Sequence, residues 1–110
     1  MWIFTSNAFL SIVAHRDNTD MRLVRARSPG DIEVVFPEAE VFEDKNADYQ
    51  YRAIIPADDV ASVLARQVLE MDYDNFKNSI PAAKQDYHDA CLHVWHTMYG
   101  LQKKEKYFAE

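Results

Sequence analysis

Glycine is scarce in this 110-residue chain, which has two, and cysteine is scarcer, with one. Two isolated glycines make no Gly-rich phosphate loop, because backbone N–H groups close round a phosphate only where side chains leave room. The single thiol, Cys91, can form neither an internal disulfide nor a CxxC pair. That excludes a disulfide-stapled mini-domain and points to a reducing, cytoplasmic setting. There is no HExxH zinc motif and no serine in a G-x-S-x-G turn. No stretch approaches the roughly 20 apolar residues that span a bilayer. Residues 1–14 lack any basic residue, and Thr5, Ser6, Asn7 and Ser11 break their apolar run, unlike a secretory signal. So little catalytic equipment predicts a non-enzymatic protein with no cofactor, no bound metal and no membrane contact.

What the chain does have is core-forming material. Hydrophobic residues make up 48%, enough to fold one domain over residues 1–110. Trp2 to Thr5 and Phe9 to Arg16 are β-branched and aromatic, with Ser6-Asn7 as a turn between them, and Met21–Arg27 follows the polar turn Asp17–Asp20. Ser28-Pro29-Gly30-Asp31 has the spacing of a capping box and predicts a short helix with Ile32, Val35 and Phe36 on its apolar side. Val41-Phe42 and Tyr49–Ile55 complete the strands. Val60, Val63, Leu64, Val68 and Met71 give one helical stripe, and Tyr87, Cys91, Val94, Met98 and Leu101 give another. The expected architecture is α+β: an antiparallel sheet of about five strands with two main helices packed on one face.

Charge is unevenly spread. Net charge is −6, yet residues 1–27 are slightly basic and residues 28–80 carry twelve acids against four bases. Glu38, Glu40, Glu43, Asp44, Asp48, Asp58, Asp59, Asp72 and Asp74 crowd the centre of the chain. Their loop and helix-end positions predict exposed carboxylates, which repel nucleic acid and attract a basic protein partner. Direct nucleic-acid binding is therefore not expected. A surface of carboxylates imitates a phosphate backbone, so nucleic-acid-handling machinery is the partner such a surface suits.

Two other constellations offer different chemistry. Period-two alternation places Leu23, Arg25 and Arg27 on one side of their strand, and Arg52 lies in a later strand beside Tyr49 and Tyr51. With His15 at the end of the second strand, these arginines would make an anion-binding sheet face, because guanidinium grips phosphate or carboxylate through two N–H groups. The alternative function is then a small anionic-ligand or nucleotide-binding domain, or a weak enzyme. On the last helix Leu92, Trp95 and Tyr99 form a second apolar edge, which would serve self-association into a homodimer. Asp89, His93 and His96 share another face of that helix, where their exposure and the missing fourth ligand weigh against a zinc site.

The segments Trp2-Ile3-Phe4-Thr5, Val13-Ala14-His15-Arg16-Asp17, Leu23-Val24-Arg25-Ala26-Arg27, Ala47–Ala53 and Asp72-Tyr73-Asp74-Asn75-Phe76-Lys77 together cover most of the chain. In these it resembles a family of small uncharacterised proteins of bacteria and their mobile elements. In size and acidity it is also similar to anti-CRISPR proteins, the phage-borne inhibitors of CRISPR effectors. That likeness is one of character, and no site residue is carried over from it. It implies an acidic inhibitor whose partner is a CRISPR effector or another nucleic-acid-binding protein.

Overall fold

The computed structural model describes the backbone of residues 1–108 and the side chains of residues 1–103. The chain forms two compact units, Met1–Asp72 and Tyr73–Glu110. The first runs β1 (Trp2–Phe4), β2 (Phe9–Ala14), β3 (Met21–Ala26), α1 (Asp31–Val35), β4 (Phe42–Glu43), β5 (Tyr51–Pro56) and α2 (Ala57–Leu69). The five strands form one sheet in the order β1-β2-β3-β5-β4, every neighbouring pair antiparallel. The protein is an α+β fold.

Side-chain hydrogen bonds close the first two turns. Between β1 and β2, Thr5 Oγ1 accepts the N–H groups of Asn7 and Ala8 at 3.2 and 2.9 Å. Between β2 and β3, His15 Nδ1 accepts those of Asp17 and Asn18 at 3.2 and 3.1 Å. Such local bonds fix the register, and register decides which side chains face the core. Leu10 and Ile12 of β2, Val24 and Ala26 of β3, and Ala53 and Ile55 of β5 all fall on one face and are buried. Ile32, Val35 and Phe36 at α1 and Val60 of α2 close over them.

Two sequence expectations need correction here. The first is the start of α1, which begins at Asp31 rather than at Ser28. Gly30 adopts φ 88°, a left-handed conformation that side chains with a Cβ rarely take, so Ser28-Pro29-Gly30 is a turn. Asp31 Oδ2 accepts the Phe9 N–H at 3.2 Å and ties α1 to the start of β2. The second correction is the length of the α2 stripe: Val60 is buried and Val63 and Leu64 are half-buried, but Val68 and Met71 are exposed.

In the second unit, α3 (Phe76–Ser79) starts under an Asn75 side chain that accepts the Asn78 N–H at 3.1 Å. A single 3-10 turn, Ala82–Lys84, leads into α4 (Gln85–Phe108). Ile80 and Cys91 are the buried residues described there. The stripe expected on α4 holds for Tyr87, Cys91 and Val94, whereas Met98 and Leu101 are exposed. Among the described residues no helix is long and apolar enough to cross a membrane.

Candidate functional site

The sheet face opposite the core carries the chemistry. Register aligns Trp2, Ser11, Arg25, Arg52 and Phe42 in one row across all five strands. An aromatic residue stands at each end and two arginines face each other near the middle. On the β1–β2 side Phe4 stacks on Phe9 at 4.6 Å between centroids, and Trp2 meets Phe9 edge-on at 5.8 Å. On the far side of the row lie Val13, Leu23 and Ile54.

Tyr49, which is buried, organises the arginines. The guanidinium carbons of Arg25 and Arg27 lie 4.5 and 4.2 Å from its ring centroid. They are therefore no more than about 9 Å apart, and the two charges repel by at least about 2 kcal/mol at an effective dielectric of about 20. Water around the exposed Arg27 lowers that figure. Two cation–π contacts of about 0.5–1 kcal/mol each offset it. Arg25 also donates to the buried Ser11 hydroxyl at 2.7 Å, but its Nε is buried with no partner. Arg27 donates to the Asp48 carbonyl at 2.9 Å, and Arg52 Nε to the Tyr49 carbonyl at 3.0 Å. Among the described residues the one ion pair these arginines make is that of Arg52 with Asp48, at 3.5 Å.

Of the four residues expected to bind an anion, the structure brings together Arg25, Arg27 and Arg52. His15 stands apart: its N–H bonds to the Met21 carbonyl, four residues along β3 from Arg25, about 13 Å at strand spacing. Its Nδ1 is also engaged by the turn. Sequence reading places Tyr49 near this group without giving it the central position. An aromatic residue directly before a strand that carries an arginine is the available signal.

Within the first unit the acids do not form a single cluster. Glu38, Glu40 and Asp59 line a cleft of about 640 Å³ together with Phe36, Pro37, Ile54, Pro56 and Val63. Glu43, Asp44 and Asp48 belong to the β4–β5 hairpin, where Asp48 is taken up by Arg52 and Asp44 Oδ1 accepts the Asn46 N–H. Asp58 lies beside Asp59 in the first turn of α2, where the helix dipole favours negative charge. Asp72 ends the first unit and Asp74 belongs to the second. All nine are exposed.

The cleft exists because β4 is short. Its two residues pair only with Tyr51 and Arg52, so along Ala53–Pro56 the outer edge of β5 has no strand neighbour. Among the described residues no backbone hydrogen bond joins residues 37–41 to that edge.

No family model, curated protein or solved structure matches the chain.

On α4 the edge expected for self-association is half open. Trp95 and Tyr99 are 48% and 41% exposed, Leu92 less so, and the two rings lie 5.3 Å apart. Lys77 Nζ sits 4.7 Å from the Trp95 ring and Lys103 Nζ 4.7 Å from that of Tyr99, so cations already occupy these aromatic faces. Asp89 bonds within its own helix, accepting from Gln85 at 2.8 Å, and lies 3.3 Å from His88 Nδ1. The His88 contact, then that of Gln85, holds its carboxyl below the usual range. Among the described residues no three His, Cys, Asp or Glu are grouped to hold a metal.

Burial pushes the Cys91 thiol up, against a smaller opposing effect of a hydrogen bond with Tyr87. Because the folded state favours the neutral thiol, this contribution to stability is intact below the thiol's ordinary pKa. It is lost as pH rises through the raised folded value. Cys91 is accordingly expected to react with a thiol-specific dye at neutral pH at least tenfold more slowly in the folded chain than in urea. Equal rates would mean that the α4 interior opens freely.

Proposed function

We propose that the chain is a non-enzymatic interaction domain that blocks a basic protein partner. Nucleic-acid-handling machinery, a CRISPR effector included, is the partner class this reading favours. Glu38, Glu40 and Asp59 would receive a lysine- or arginine-rich segment in extended form, while the uncovered edge of β5 adds its backbone as a further strand. Strand addition supplies main-chain hydrogen bonds, and alternate side chains of the incoming segment supply selectivity. Phe36, Ile54 and Val63 offer apolar contact for the stems of those side chains, which pack along hydrophobic surface while their charged heads meet carboxylate.

The carrying observation is the coincidence of three carboxylates with an unpaired strand edge in one cleft. Exposed ion pairs contribute about 0.2–1 kcal/mol each, so three are worth roughly 3- to 150-fold in affinity. The backbone edge and apolar wall must supply the remainder. A partner so engaged loses a basic segment that would otherwise hold nucleic acid.

The test is calorimetric titration with a lysine-rich extended peptide over a salt series. Affinity is expected to fall as salt rises. The triple substitution Glu38→Lys, Glu40→Lys, Asp59→Lys should abolish binding, whereas Glu43→Lys with Asp44→Lys should weaken it only slightly. Amide shifts on binding are expected along Ala53–Pro56. If the triple variant stays folded and binds as tightly as the parent, the proposal is wrong.

A further inference from the structure

The open sheet face holds a second site of opposite charge. We infer that Arg25, Arg27 and Arg52, gathered round Tyr49, form a binding site for a phosphate group, carried on a small phosphorylated molecule or free in solution.

Three observations carry this. Three guanidinium groups share one neighbourhood, and among the described residues they make one ion pair, with Asp48, which is 68% exposed and 3.5 Å from Arg52. Charge there is uncompensated among the described residues. Arg25 and Arg52 also stand directly opposite each other on neighbouring strands, an arrangement of like charges that destabilises a sheet unless something neutral or negative intervenes. Finally, the guanidiniums are already oriented. The Tyr49 ring packs on both Arg25 and Arg27, and the Ser11 hydroxyl and the carbonyls of Asp48 and Tyr49 accept from Arg25, Arg27 and Arg52 respectively. Planar donors held by other contacts lose little freedom when an oxyanion arrives.

The geometry selects for phosphate over a larger polyanion. A negative cleft and a net charge of −6 oppose a nucleic-acid strand, while a single phosphate meets only the local positive field. Phe42, 46% exposed and the cross-strand neighbour of Arg52, gives a ring on which an attached base would stack. Asp48 is the competitor: its carboxylate occupies Arg52, and any oxyanion must displace it or share with it.

The experiment follows the arginine Nε–H and backbone amide signals of the full chain while inorganic phosphate, and separately adenosine 5′-monophosphate, is added at constant ionic strength. Saturable shifts are expected at Arg25, Arg52 and Tyr49. Arg27→Ala, at an exposed position that leaves the fold intact, should weaken binding about tenfold, the worth of one charge-assisted hydrogen bond. Asp48→Asn keeps an acceptor for the Tyr49 N–H and removes the competing charge, so it should tighten binding severalfold. Tighter binding of the nucleotide than of inorganic phosphate would assign a stacked base to Phe42, and equal binding would assign the site to phosphate alone. The inference is overturned if the shifts never saturate, if chloride at matched ionic strength reproduces them, or if Asp48→Asn leaves the affinity unchanged. The triple lysine variant of the acidic cleft should bind phosphate as the parent does, which keeps the two proposals separable.

Discussion

Tyr49→Ala is expected to lower the unfolding free energy by about 3–4 kcal/mol, the range for removing a buried aromatic ring. The residue is only 4% exposed, and its ring lies against the guanidinium groups of Arg25 and Arg27. Its loss would leave a cavity and strip Arg25 and Arg27 of the ring that both contact. Arg25 would suffer more, because its Nε is already buried without a partner and the Ser11 hydroxyl alone would remain. Tyr49→Phe keeps the ring and should change stability by less than about 0.5 kcal/mol. Urea denaturation of the two variants measures the difference. A small loss for alanine would mean that the arginines are held by their backbone acceptors and that the ring merely covers them.

Leu10→Ala should cost about 3 kcal/mol, within the range for deleting a buried leucine side chain. Leu10 is fully buried on the core face of β2, among the residues that α1 closes over. Leu10 lies on a strand flanked by β1 and β3 and belongs to the same core cluster as Ile32 of α1, so relaxation into the void is restricted, and restricted relaxation raises the cost. Val34→Ala provides the control: Val34 lies on α1 but is 53% exposed, so truncation there should fall within about 0.5 kcal/mol of the parent. The denaturant midpoint should drop for the first variant and hold for the second. Parity between them would show a loosely packed core.

The meander is legible in the chain because its cues are local. Ser6-Asn7 and Asp17–Asp20 mark the turns, but alternation does not name the core face, because Arg22 stands in register with the buried Ile55 while Leu23 stands with Val13 and Ile54 on the other side. The start of α1 is not legible in the same way. The Ser28–Asp31 spacing mimics a capping box, and nothing in it reveals that Gly30 turns left-handed. Stripes on α2 and α4 overrun for a different reason. Helical periodicity gives the direction of a face, not the length of the layer beneath it, so Val68, Met71, Met98 and Leu101 match the pattern while remaining exposed.

The candidate sites are half legible. Exposure of the acids follows from their loops and helix ends. Which of them share a cleft does not, because that depends on where β4 stops against β5. Convergence of Arg25 and Arg27 follows from strand alternation, whereas Arg52 joins them through a cross-strand register that no local signal encodes. His15 fits the alternation too, but alternation says nothing of position along the strand.

The brevity of β4 has one more consequence. A bare strand border is an invitation to polymerise, since an identical copy can dock its own border there and so on without end. Glu38, Glu40 and Asp59 post the same sign at that border on every molecule, so sister chains approaching one another are turned away. The carboxylates would then guard the border against copies of the same chain. A variant in which they are neutralised is expected to self-associate more readily as its concentration rises.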